Sequence, residues 1–161
     1  MARHTPKVAL VPSAFFDPAS AREILSRTVA LDLEDKVEYI SLPELSAELV
    51  YSLSPDMDHS DGDEYPDMYH LLKKLPDITE YNKILASYGD NVLTLVIAQG
   101  ENLLLANTFE AADFTTGEYF LFMAVKKLQL NPEVSSVHFL TDLSGEEEMS
   151  LYRYFKSVER L

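Results

Sequence analysis

The chain has 161 residues, 47% of them hydrophobic and 11% aromatic, enough to bury one sizeable core or two small lobes. It contains no cysteine, which excludes disulfides and thiolate metal sites and agrees with a reducing, cytoplasmic location. With 27 acidic against 13 basic side chains the net charge is −14, which repels nucleic acid and anionic membrane surfaces and suits a basic partner surface, a cation, or solubility alone.

In chain order, Lys7–Val11 reads as a first strand, and Asp17-Pro18 as an N-cap with proline at the first helical position. Ala21, Ile24, Leu25 and Thr28 then line one face of a helix, with Arg22, Glu23 and Arg27 on the other. Val37–Leu42 and Ala47–Leu53 are two further strands, turned at Pro43-Glu44. The composition then changes. Asp56, Asp58, Asp61, Asp63, Glu64 and Asp67 crowd a stretch that also holds Pro55, Gly62 and Pro66. The oxygens of Asp56, Asp58 and Ser60 at alternate positions resemble the opening of a calcium loop, but Gly62 falls one residue late and Asp67 stands where a bidentate Glu is needed. A solvated loop is expected there.

Met68–Lys74 reads as a short helix that buries Leu71, Leu72 and Leu75 and ends at Pro76. Tyr81–Tyr88, Val92–Ala98 and Leu103–Phe109 read as a three-stranded antiparallel meander, broken by Gly89-Asp90-Asn91 and Gln99-Gly100-Glu101-Asn102. Thr116–Gln129 is the helix that covers it, with a capping box formed by Thr115 and Glu118 and a hydrophobic staple by Phe114 and Tyr119. Tyr119–Val125 is apolar on almost every side, so this helix is expected to be covered on two faces. Val137–Thr141 is a later strand, followed by a second capping box at Ser144 and Glu147. Leu151, Tyr152, Phe155 and Val158 form a helical stripe, with no strand expected after it.

No run reaches the ~20 apolar residues of a membrane helix, and the first residues lack the apolar stretch of a signal peptide. No membrane insertion is expected. His4, His59, His70 and His138 are scattered without metal-ligand spacing, and no serine lies in a nucleophile-elbow motif. His138, inside a strand, reads as a structural histidine rather than a general base. The glycine-rich phosphate-loop and dinucleotide fingerprints are both missing from the sequence.

The runs 7–17 (KVALVPSAFFD), 103–109 (LLLANTF) and 139–145 (FLTDLSG) resemble a family of Bacteroides-type bacterial proteins of unknown function. That family has the actin-like ATPase, or ribonuclease H-like, fold. The resemblance implies an α/β protein with mixed sheets. Its meander and helix-strand-helix would open one actin-like subdomain, over residues 67–161. Residues 1–66, with the acidic loop, would be part of the other. Relative to the family the fold is expected to be incomplete: a fragment, a shortened relative, or a sequence with residues left out.

Actin-like ATPases hold phosphate and magnesium at an Asp-x-Gly turn and adenosine at a Gly-Gly pair. By the resemblance, the first site falls at Ser87, Gly89 and Asp90, where serine replaces the aspartate, and the second at Gly145, a single glycine. The resemblance therefore implies a degenerate nucleotide site without cofactor, on an interaction module for a protein or peptide partner, with homo-oligomerisation allowed. The alternative is a nucleotide-binding phosphotransferase or ATPase that uses the same four residues.

Overall fold

The computed structural model describes residues 2–53 and 64–161. The calcium-loop resemblance at Asp56, Asp58, Ser60 and Gly62 therefore lies outside the described residues. In chain order the elements are β1 (Ala2–Arg3), β2 (Val8–Pro12), α1 (Ala21–Ser26), β3 (Glu38–Leu42), β4 (Ala47–Tyr51) and β5 (Tyr65–Pro66). Next come α2 (Asp67–Lys74), β6 (Asn82–Gly89), β7 (Val92–Gln99) and β8 (Asn102–Glu110). The chain then forms α3 (Phe114–Lys127), β9 (Ser136–Phe139), α4 (Gly145–Tyr152) and β10 (Ser157–Arg160). Among the described residues no helix is long and apolar enough to cross a membrane.

A five-stranded sheet with order β10-β9-β6-β7-β8 is the centre of the molecule. The meander β6-β7-β8 is antiparallel, whereas β9 pairs in parallel with β6 and β10 in parallel with β9. Strand β7 is buried from Val92 to Ala98, as its continuous apolar run requires of a strand covered on both faces. Alternation divides its side chains. Leu93, Leu95 and Ile97 join Ile84, Val137 and Phe139 under α3 and α4, while Val96 and Ala98 join Leu85 on the opposite face. On that second face α2 lies between the central sheet and a smaller antiparallel sheet of order β2-β4-β3, through Met68, Leu71, Leu72, Leu49 and Tyr51. At about 1.5–3 kcal/mol for each fully buried large aliphatic side chain, these two clusters dominate the folding energy.

The β6–β7 connection is a two-residue hairpin loop. Asp90 (φ 49°) and Asn91 (φ 60°) take the positive angles, and Gly89 pairs with Val92. At the other end Ser144 Oγ accepts from Glu147 N at 3.2 Å and Glu147 Oε1 from Ser144 N at 2.8 Å, the reciprocal capping box expected from the sequence.

Four expectations need correction. Helix α3 is capped by Asp113, whose Oδ1 accepts from Thr116 N at 2.8 Å, rather than by Thr115. A carboxylate at the positive helix end supplies both acceptor and charge, so the helix starts earlier, and Glu118 turns inward to accept from Ser150 Oγ at 2.9 Å. The staple therefore does not form: Phe114 packs on Tyr88 at 5.7 Å, and Tyr119 is 61% exposed. That exposure also corrects the expectation of a helix covered on two faces. Finally, the stripe from Leu151 to Val158 is not one helix. After Tyr152 the chain turns and Ser157–Arg160 becomes an edge strand, with Val158 beside Val137. Its side chain reaches the same core by strand alternation, so apolar spacing alone looked helical.

Candidate functional site at the turns after β6 and β9

Strands β6 and β9 run in parallel, and the turns at their carboxyl ends are where an open α/β sheet usually places a ligand. They carry the four residues singled out in the sequence. The two turns are joined directly, because Tyr88 N donates to Thr141 Oγ1 at 3.2 Å.

The first turn is filled from the chain's own amino-terminal segment. Strand β1 pairs in parallel with β5, Ala2 beside Tyr65 and Arg3 beside Pro66, so the next residues in each segment, His4 and Asp67, come together. His4 Nδ1 forms an ion pair with Asp67 Oδ2, and the same carboxylate oxygen accepts a short hydrogen bond from Ser87 Oγ. Ser87 is 0% exposed and Asp67 1%. Asp67, expected within a solvated acidic loop, is thus a buried carboxylate at the first position of α2. There the positive end of the helix also favours its charge.

The His4 ring lies over Gly89. A Cβ at position 89 would stand 2.2 Å from His4 Nε2, so only glycine leaves room for the imidazole. Asp90 is exposed at the hairpin tip. Its charge acts on the cations above it, His4 and Arg3, and Arg3 is itself paired with Glu64. The contact with Asp67 raises the His4 pKa; burial opposes this, and the fields of Asp67 and Asp90 add to it.

Gly145 stands apart from this cluster. It is the first residue of α4, exposed, with nothing within 4 Å of the position a Cβ would take. The structure therefore brings Ser87, Gly89 and Asp90 together with His4 and Asp67, and leaves Gly145 as part of a helix start. Sequence reasoning missed His4 and Asp67. The only signal for them was a histidine and an aspartate of no evident use, far apart in the chain.

Serine, histidine and aspartate here do not form a nucleophilic triad. In a triad the imidazole stands between hydroxyl and carboxylate and takes the hydroxyl proton. Here the carboxylate stands in the middle, His4 contacts Asp67 rather than Ser87, and the buried hydroxyl already donates its proton to Asp67. Nor do the residues fit magnesium nucleotide. A phosphate needs open space over the glycine, which the His4 ring fills, and the position expected to hold the carboxylate is a buried serine already engaged. Among the described residues no three His, Asp or Glu side chains are grouped to hold a metal ion.

A second concavity lies at the opposite end of the meander, beside Gly100. This cleft of about 680 Å³ is lined by Leu42, Leu45, Leu72, Leu75 and Leu103, with Lys73 and Glu44 paired at 3.1 Å. It contains none of the four residues singled out in the sequence.

The model of a family described as protein of unknown function (DUF3822) matches residues 2–158. None of the curated proteins compared with the chain matches it. Among solved structures it is similar to a protein from Bacteroides thetaiotaomicron VPI-5482 with an actin-like ATPase fold and unknown function, at 18% identity and a TM-score of 0.75. The match covers 98% of this chain and 66% of that one, so the chain spans a little under two thirds of the length of the solved relative. The likeness shows the fold: the mixed sheets described above are those of an actin-like ATPase fold.

Proposed function

We propose that this chain, which belongs to the DUF3822 family of proteins of unknown function, is a non-catalytic interaction module on an actin-like scaffold. One observation carries the reading: the turn that would receive phosphate is occupied by His4, held over Gly89 by the buried Asp67 that also binds Ser87. A scaffold whose nucleotide turn is filled by its own amino-terminal segment keeps its sheets and helices as binding surfaces. Charge supports the same reading, since among the described residues the basic side chains beside the turn, Arg3 and His4, are already matched by Glu64 and Asp67. A triphosphate approaching a chain of net charge −14 would find no unmatched cation there among the described residues to offset the repulsion.

Calorimetric titration with magnesium and ATP, on the wild-type chain and on Asp90→Ala, tests this. The expected result is no saturable heat in either protein at millimolar nucleotide. Micromolar, saturable binding that is lost in Asp90→Ala would overturn the reading in favour of a nucleotide-dependent phosphotransferase or ATPase. In that case Ser87, Gly89, Asp90 and Gly145 would be assigned to the nucleotide.

A further inference from the structure

The outer face of the helical layer is apolar in the middle and oppositely charged at its two ends. Helices α3 and α4 lie side by side on one face of the central sheet, joined by the Ser150–Glu118 hydrogen bond at 2.9 Å and by Phe122 against Tyr154 at 4.5 Å. Each connects one parallel-running strand to the next, β8 to β9 and β9 to β10, so the two helices run in the same direction. On their outer side Tyr119 (61% exposed), Met123 (43%), Met149 (67%) and Tyr154 (49%) stand open to solvent.

The charges around this centre are sorted by sign. At the amino-terminal end of the pair lie Asp113 and Glu146–Glu148, and at the carboxyl-terminal end Lys126, Lys127, Arg153 and Lys156. Among the described residues none of these eight forms an ion pair within the chain. With exposed Glu133, whose neighbour Pro132 accepts from Lys156 N at 3.1 Å, five acids stand against four bases, so the rim of this face is close to neutral on a molecule whose net charge is −14. It is the place where two copies could meet without the repulsion that the rest of the surface would impose.

We propose that two copies of this chain pair through this face, about a two-fold axis that lies in the plane of the face and runs perpendicular to the helices, so that α3 lies against α3 and α4 against α4 of the other copy. Laid antiparallel, the acidic end of each helix pair meets the basic end of the other, and the aromatic and methionine side chains meet in the middle. An isologous contact requires this self-complementarity, and an apolar centre with a polar rim is the usual anatomy of a protein interface. The proposal deepens the interaction-module reading by naming one partner, and it rests on that reading only for its meaning. ATP binding would defeat the module reading without dissolving a dimer, and a monomer would defeat this proposal without admitting ATP.

Sedimentation equilibrium on the full chain, up to about 0.5 mM, tests it because an isologous dimer shifts with concentration by mass action. The wild type is expected to reach the dimer. Tyr119→Glu/Met123→Glu should raise the dissociation constant by about tenfold or more, the effect of losing central anchors, with an unchanged circular dichroism spectrum. Arg153→Glu/Lys156→Glu should weaken the dimer, and adding Glu146→Lys/Glu148→Lys to the same chain should restore it. A wild type that stays monomeric throughout, or a dimer indifferent to Tyr119→Glu/Met123→Glu, would overturn the proposal, as would failure of the second charge reversal to rescue the first.

Discussion

At Gly89 the conformational argument for glycine gives way to one of space. The positive φ angles of the hairpin belong to Asp90 and Asn91, so glycine is needed one residue earlier, where the His4 ring passes over the backbone. His4 in turn ties stability to pH. Its folded pKa is raised chiefly by contact with Asp67, so its contribution is fully present below the unfolded value of about 6.5 and is lost as pH rises through the folded pKa. His138 acts in the opposite sense. Burial lowers its pKa, so its contribution is lost as pH falls below about 6.5. Urea unfolding of the wild type should therefore give a lower midpoint at about pH 9 than at about pH 6.5, and His4→Gln should remove most of that difference. An equal decline in both proteins would show that His4 is not the group responsible. In the sequence the turn at 87–90 was visible as a break between strands, but what fills it was not. The contact depends on two-residue strands, β1 and β5, too short to leave a periodic signal.

Element boundaries separate what a sequence pattern states from what competition between neighbours decides. Asp113 and Thr115 both have side chains able to cap α3, and both precede the same apolar run. The aspartate takes the role because its carboxylate also meets the positive end of the helix. Asp113→Ala should lower stability by about 0.5–2 kcal/mol, whereas Thr115→Ala should cost no more than a few tenths. Urea unfolding of the two variants at fixed pH ranks them, and the reverse order would move the helix start back to Thr115. At Ser144 one candidate had no rival and the capping box formed as read. The meander, α2 and β9 were legible because each is a continuous run with one period and clear stops. Strand β10 was not, since four residues of alternation after a helix match an i, i+3, i+4 spacing about as well.

For the molecule as a whole, the question is whether its charges hold it together or push it apart. The chain has 27 acids and 13 bases; among the described residues only a few charges find close partners, and some of those pairs are exposed, such as Arg27 with Glu23 and Lys73 with Glu44. Exposed pairs contribute about 0–1 kcal/mol each. The remaining excess of −14 acts over the whole surface at low salt, where the screening length is about 30 Å in 0.01 M electrolyte, against about 3 Å at 1 M. Repulsion should win. Added sodium chloride, from about 0.01 M to 0.5 M, should therefore raise the urea midpoint, measured at protein concentrations low enough to keep copies apart. The His4–Asp67 pair, with its carboxylate fully buried, is screened far less than the surface and should keep its pH dependence across that range. A midpoint that falls with salt would mean that the exposed pairs outweigh the net charge, and that the acidic surplus is better dispersed than a count of side chains implies.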